Sequence, residues 1–268
     1  MTKVSHIVSS DLLDLIDGRD FYMCLANIAS KDKHYSDFYK EQVKKGAFVL
    51  LDNGAAESDQ MTLDVMWKVI EEINPTEVIL SDALLDGEET IRRSKEALDF
   101  YEEKGFKGQY MFVPQGKNIR EWIRCFEDMD KTKISTIGVS KFCTDAWKDS
   151  LARVKCCLYI DEKAPVHLLG CHERIGEVGY IANGFNNIRS NDTAIAYIYA
   201  QANQDITVGT RPEGEINFIK SDLTSEQVEL LKSNMEKFDR MLDPREEIEV
   251  EENVEDQLPD TFENKNEE

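Results

Sequence analysis

The chain has 268 residues, 41% of them hydrophobic, which suits one globular domain with its own core. Its net charge is −21, and residues 243–268 supply −10 of it through 12 acidic and 2 basic residues. The remaining −11 is not the usual charge of a nucleic-acid-binding protein. No apolar run approaches the roughly 20 residues that a membrane-spanning helix needs. We therefore expect a soluble, cytoplasmic protein without membrane contact.

The six cysteines give no metal signal. No pair has the two-residue spacing of a zinc knuckle, and no signal peptide precedes them. We expect reduced thiols that fill the core, and no bound metal.

Six short apolar runs recur along the chain, and each leads to a residue that could take part in chemistry. The steps between these residues are 30, 33, 26, 29 and 22 residues, close to the roughly 30 that a strand, a helix and two loops need. The spacing predicts an α/β fold, a (β/α)8 TIM-type barrel, in which the carboxyl ends of the strands share one mouth. The residues are Asp52, Asp82, Gln115, Lys141, Gly170 and Asp192.

The remaining segments follow from periodicity and punctuation. Residues 1–20 are a lead-in, residues 21–28 the first strand, and a last strand is expected near residues 206–208 or 216–219. Residues 1–242 then form one barrel domain, and the acidic residues 243–268 a disordered tail. Helices are predicted over residues 34–45, 62–73, 88–104, 118–129, 145–156, 172–183, 193–202 and 225–241.

Three of the strand ends suit recognition and acid–base chemistry. Asp52 precedes Gly54, which leaves room for a ligand, although an aspartate there could equally cap a turn. Asp82 can accept two hydrogen bonds from adjacent donors such as the edge of guanine, or could cap the following helix. The amide of Gln115 both donates and accepts, which suits a heterocycle.

The later strand ends carry a cation, a histidine and a third carboxylate. The small residues Gly138 and Ser140 leave room for a ring, and Lys141 could meet a phosphate or be a surface lysine. His167 lies between apolar residues, where a satisfied core histidine is common. Asp192 could attack an anomeric carbon in glycosyl transfer, or could cap a helix.

The ordered set of motifs resembles the queuine and archaeosine tRNA-guanine transglycosylase superfamily. It is more similar to the compact phage and bacterial relatives that place 7-deazaguanines into DNA. The chain lacks the Cys-x-Cys-x-x-Cys zinc run of the tRNA enzymes and the Pro-Thr-Arg after their nucleophile. The matching segments are Asp52-Asn53-Gly54, Asp82, Val113-Pro114-Gln115-Gly116, Ile137-Gly138-Val139-Ser140, His167-Leu168-Leu169-Gly170 and Ser190-Asn191-Asp192-Thr193.

The resemblance implies a compact barrel without the zinc subdomain that exchanges guanine in DNA, rather than in tRNA, for 7-cyano-7-deazaguanine or a relative. Asp192 would be the nucleophile and Asp52 the acid–base partner, with no cofactor. Partner proteins would help to engage DNA, in the host cytoplasm if the protein is phage-encoded. The substrate-binding residues would be Asp82, Gln115, Gly116, Gly138, Ser140, His167 and Gly170.

Three other functions stay open at this point. One is exchange in tRNA. A second is a small-molecule barrel lyase or hydrolase that uses Lys141 as a Schiff-base former, or His167, His172 and Asp192 as metal ligands. A third is a non-catalytic barrel that binds nucleic acid or a partner subunit, with an acidic tail that mimics nucleic-acid charge.

Overall fold

A computed structural model describes residues 2–54, 61–171, 175–208 and 211–242. Eight parallel strands form one sheet in the order β1-β8-β7-β6-β5-β4-β3-β2. The sheet curves into a nearly closed barrel, and the amide N–H of Met23 donates to Ser5 Oγ at 2.6 Å across the seam between β1 and β2. The predicted TIM-type class is therefore confirmed. The strands are β1 (Lys3–His6), β2 (Phe21–Leu25), β3 (Phe48–Asp52), β4 (Glu77–Ile79), β5 (Gln109–Phe112), β6 (Thr136–Ser140), β7 (Val166–Leu169) and β8 (Ile188–Thr193).

Helices surround the barrel, and several begin at side chains that cap their first amide groups. Asp32, Thr62, Asp86 and Asn118 each accept a hydrogen bond from the first turn of the helix that follows. None of the described helices is long and apolar enough to cross a membrane. The helices are α1 (Ala26–Ala29), α2 (Lys33–Lys44), α3 (Leu63–Ile73), α4 (Gly87–Glu103), α5 (Ile119–Asp128), α6 (Phe142–Trp147), α7 (Ala152–Ile160), α8 (Ile175–Gly184), α9 (Ile195–Gln201) and α10 (Ser225–Leu242).

The strand predicted as the first is present but is the second in the chain, and the predicted last strand is wrong. The true first strand is β1, inside the supposed lead-in, and it pairs with β8 in the register Lys3↔Ser190 to His6↔Thr193. It has only four residues and three of them are polar, so it carries little hydrophobic pattern. The strand predicted over residues 21–28 stops at Leu25, where α1 begins.

Residues 206–208 and 216–219 form no strand in the described structure, because β1 already completes the barrel. The amide of Ile206 instead donates to Asn234 Oδ1 on α10 at 2.9 Å, and the carbonyl of Phe218 accepts from Ser10. The described residues of this segment therefore pack against α10 and the chain after β1 without forming a strand.

The helix predicted over residues 145–156 is two helices, α6 and α7. Lys148 ends α6 in the left-handed conformation, with φ of 51°, which turns the chain before α7. The helix predicted over residues 172–183 is α8, although residues 172–174 lie outside the described residues. The prediction for residues 225–241 is confirmed by α10, and the predicted disordered tail lies outside the described residues.

A buried ion pair lies at the end of the barrel that the amino ends of the strands form, called the lower end here. Glu77, at the start of β4, is fully buried and accepts from Arg189 Nη2 at 2.7 Å. The same guanidinium donates to Thr136 Oγ1 at 2.6 Å and lies 4.9 Å from the ring centre of Phe48. These groups lie at the amino ends of their strands, opposite to the carboxyl ends where sites occur in such barrels.

Candidate active site

Three carboxylates that are far apart in the sequence surround one cavity at the carboxyl ends of the strands. Asp52 closes β3, Asp82 follows β4, and Asp192 lies near the end of β8. The cavity has a volume of about 220 Å³. That is below the roughly 300–1,000 Å³ typical of drug-sized ligands, so it suits a single small ring system. Apolar side chains complete the wall, among them Met23, Leu25, Ile79, Val113, Leu169 and Ile195.

Asp192 is a strand residue and does not cap α9. The first amide of that helix, from Ile195, donates instead to Thr193 Oγ1 at 3.1 Å. Asp192 Oδ1 accepts from the backbone amide of Gly170 at 2.9 Å and lies 3.1 Å from His167 Nε2. Among the residues that the structure describes, no donor contacts the second oxygen, Oδ2. The carboxylate is thus fixed through one oxygen while the side chain stays 13% exposed at the cavity.

A chain of hydrogen bonds behind Asp192 sets the tautomer of His167. Arg189 Nε donates to Ser190 Oγ at 3.1 Å, and Ser190 Oγ lies 2.8 Å from His167 Nδ1. Because Arg189 can only donate, the serine hydroxyl points to Nδ1, and the proton of a neutral imidazole is on Nε2, facing Asp192. Burial lowers the pKa of His167, although the hydrogen bond to Asp192 opposes this, and the ring is therefore neutral.

Asp82, Gln115 and a third residue, Asn53, form a buried group of hydrogen-bonded side chains. Asn53 Nδ2 donates to Asp82 Oδ1 at 2.8 Å, and Gln115 Nε2 donates to Asp82 Oδ2 at 2.6 Å. Gln115 Oε1 accepts from the amide of Leu85 at 3.2 Å, which fixes the orientation of the Gln115 amide. Burial raises the pKa of Asp82, while the hydrogen bonds from Asn53 and Gln115 oppose that shift.

Asp52 lies across the same cavity. Its Oδ2 accepts from the amide of Gly54 at 3.2 Å, and Gly54 has φ of 73°, which favours glycine. Asp52 therefore makes the turn contact that the sequence left open, and it also lines the cavity. Residues 55–60, which continue this loop, lie outside the described residues.

Six of the nine predicted site residues line the cavity, and three lie behind it. Those that line it are Asp52, Asp82, Gln115, Ser140, Gly170 and Asp192. The other three are Gly116, Gly138 and His167.

Each of the three residues behind the cavity has a structural contact that accounts for its place. His167 contacts Asp192 from the barrel interior. A Cβ on Gly138 would lie 2.8 Å from Val113 Cγ2 and 2.9 Å from Leu169 Cδ1, so this glycine lets the cavity floor close. The carbonyl of Gly116 accepts from Trp147 Nε1 at 2.8 Å, which ties the loop to α6.

Asn53 and Arg211 are polar cavity residues that were not predicted as substrate-binding groups. Asn53 follows Asp52 directly, so its place at a strand end was the available signal. Arg211 comes from the loop after α9, outside the strand-end pattern, and no sequence signal pointed to it. Lys141, which was left open, also lines the cavity.

The described residues give no support for a metal site. No group of three His, Cys, Asp or Glu side chains among them could hold an ion, and all six cysteines are buried free thiols. His172, a predicted alternative ligand, lies outside the described residues.

The fold and the cavity define a (β/α)8 barrel with a small cavity that three carboxylates line at the carboxyl ends of the strands. No model of a known protein family matches the chain, and no characterised protein matches it significantly.

Proposed function

We propose that the protein is a base-exchange transglycosylase that replaces guanine in DNA with a 7-deazaguanine. The observation that carries the proposal is the convergence of Asp52, Asp82 and Asp192 on one small cavity together with Gln115. One carboxylate can read the base, one can attack the sugar, and one can move the proton. The resemblance of the ordered motifs supports 7-cyano-7-deazaguanine or a relative as the incoming base.

Base recognition falls to Asp82 and Gln115. The Watson–Crick edge of guanine presents adjacent N–H donors, and a carboxylate accepts such a pair. The side-chain amides of Asn53 and Gln115 donate to Asp82 in the structure. When the base binds, these amides must either share the Asp82 oxygens with the base or rotate away. Because Asp82 is 5% exposed and Gln115 1%, an unmatched base would leave buried polar groups without partners.

Bond cleavage falls to Asp192. Its Oδ2 attacks C1′ of the deoxyribose, the glycosidic bond to guanine N9 breaks, and the sugar becomes an ester of Asp192. Asp52 gives a proton to the departing base. The incoming 7-deazaguanine loses its N9 proton to Asp52 and attacks C1′, which releases Asp192 and retains the configuration. One glycosidic bond replaces another, so the exchange needs no redox or nucleotide cofactor.

The polymer must present an unstacked guanine. A base within a duplex cannot reach a cavity of this size, so the enzyme acts on a flipped or unpaired nucleotide. The zinc run that is typical of the tRNA enzymes is absent from the sequence, which favours DNA. A partner protein that engages the DNA would explain how so acidic a chain works on a polyanion.

One observation favours a second function, that of a Schiff-base lyase. Lys141 lines the cavity, and burial lowers the pKa of its amine, which would favour the neutral nucleophile. A lyase of this kind would be trapped on a carbonyl substrate by borohydride at Lys141. Exchange of a base would not be trapped in that way.

The deciding experiment incubates the protein with labelled guanine or labelled 7-cyano-7-deazaguanine and with single-stranded DNA, duplex DNA or tRNA. We expect label in DNA and none in tRNA, without strand cleavage. Label in tRNA alone would shift the proposal to the tRNA reaction. Absence of label from every polymer, with borohydride trapping at Lys141, would replace it with the lyase.

A further inference from the structure

Two cations converge on the cavity beside Asp192. Lys141 follows β6, and Arg211 comes from the loop after α9; both line the cavity. Lys141 lies across Gly170, which has φ of 68° and whose lack of a side chain leaves the space that the lysine fills. A Cβ on that glycine would lie 2.8 Å from Lys141 Cδ. The lysine is therefore placed by packing against the backbone that also holds Asp192.

These two cations have no carboxylate partner at contact distance in the part of the chain that the structure describes. Neither takes part in an ion pair there, unlike Arg92, Arg93 and Arg189. Arg211 Nε is buried and makes no hydrogen bond to a described residue. Burial lowers the pKa of Lys141, the attraction of Asp192 opposes that shift, and repulsion from Arg211 adds to it.

Lys141 Nζ lies 5.5 Å from the ring centre of Phe142, but no carboxylate is at contact distance from either cation in the described structure. Two converging, partly buried cations without a counter-charge need a reason, because burying such a charge costs free energy. A bound anion would supply the counter-charge. The guanidinium of arginine presents a planar fork of donors that matches phosphate oxygens, and lysine adds a point charge.

We propose that Lys141 and Arg211 bind a phosphate group of the nucleotide whose base occupies the cavity. The proposal rests on the proposed base exchange and deepens it, because it places the sugar–phosphate beside Asp192. The deoxyribose that Asp192 attacks carries a phosphate on each side, and one of them would lie against the two cations. The cations would also screen the phosphate from Asp192.

The test compares three ligands by calorimetry at low salt: deoxyguanosine, its 5′-monophosphate and its 3′-monophosphate. We expect one monophosphate to bind at least about tenfold more tightly than deoxyguanosine, as one charge-assisted hydrogen bond would give. Lys141→Gln and Arg211→Gln should each lower that preference several-fold, and the double variant should abolish it. Affinity for deoxyguanosine itself should change little.

Lys117→Gln is the matched control, because Lys117 is an exposed lysine in the loop after β5 that does not line the cavity. Equal affinity of the wild type for all three ligands would overturn the phosphate site, as would a preference that survives in the double variant. If deoxyguanosine does not bind, guanine recognition fails and the proposed exchange with it. Binding of inorganic phosphate then tests the anion site by itself. Phosphate binding that is lost in Arg211→Gln supports the site, and absence of phosphate binding to the wild type overturns it.

Discussion

His167 Nε2 lies 3.1 Å from Asp192 Oδ1, and the backbone amide of Gly170 holds the same oxygen at 2.9 Å. The imidazole is fully buried, so it touches Asp192 from inside the barrel and never meets the cavity. Its role is therefore to orient the carboxylate. Behind it, Ser190 and Arg189 extend the contact to the ion pair at the lower end of the barrel.

Replacing His167 should slow the chemical step more than it weakens binding. His167→Ala removes one of two donors to Asp192 Oδ1, and a misplaced reacting group can cost about 100-fold in rate. We expect kcat to fall about 10- to 100-fold with KM nearly unchanged. His167→Gln, which can still donate, should restore part of kcat. His34→Ala, on an exposed face of α2, is the control. An equal fall in kcat in that variant would contradict the proposal that His167 positions Asp192.

The free energy of unfolding should decrease as the pH falls below about 6.5, the pKa of histidine in an unfolded chain. Burial lowers the pKa of both His6 and His167 in the folded protein. The unfolded chain therefore takes up protons that the folded protein does not, at up to about 1.4 kcal/mol per pH unit for each histidine. Above about pH 7 both states are neutral and this contribution is constant.

Urea unfolding at pH 7.5, 6.5 and 5.5 measures this dependence, and His6→Gln should reduce its slope because glutamine does not titrate. Asp82 acts in the opposite sense, because burial raises its pKa and stability is lost as the pH rises through the folded-state value. A slope that His6→Gln leaves unchanged would contradict the buried neutral state of His6.

Replacing Asp82 with Asn should remove discrimination at the base edge. Wild-type protein should prefer guanine over hypoxanthine, which lacks the 2-amino donor, by about tenfold or more, as expected for one hydrogen bond to a charged group. Asp82→Asn should bind both bases weakly and nearly equally. Competition of each base against labelled guanine measures the preference. Retained discrimination in the variant would move base recognition away from Asp82.

The buried pair between Glu77 and Arg189 predicts a large stability effect far from the cavity. Arg189→Met leaves Glu77 buried and unpaired, which should cost about 3–5 kcal/mol in the free energy of unfolding. The double change Glu77→Leu with Arg189→Met should recover much of the loss. Lys33→Met, at the exposed pair with Asp37, serves as the control and should have little effect. The urea midpoints of the variants compare their free energies of unfolding. A small decrease in Arg189→Met would contradict a stabilising role for the ion pair.

The sequence predicted the barrel because strong apolar runs recur at the period of a strand–helix unit. It failed at β1, whose four residues have too little hydrophobic pattern to stand out, and so it sought an eighth strand in the loop after α9. The strand-end residues of the site followed from the geometry of parallel sheets. The place of Arg211 could not be predicted in this way, because a loop residue reaches the cavity only through tertiary packing.

The covalent intermediate is the central claim of this account, and mass spectrometry of the trapped complex tests it most directly. Single-stranded DNA and the wild-type protein, mixed without an incoming base, should give an adduct of protein and abasic DNA that maps to Asp192. Asp192→Asn should give neither adduct nor exchange, while its circular dichroism spectrum stays that of the wild type. An adduct on another residue, or exchange that persists in Asp192→Asn, would contradict the assignment of the nucleophile.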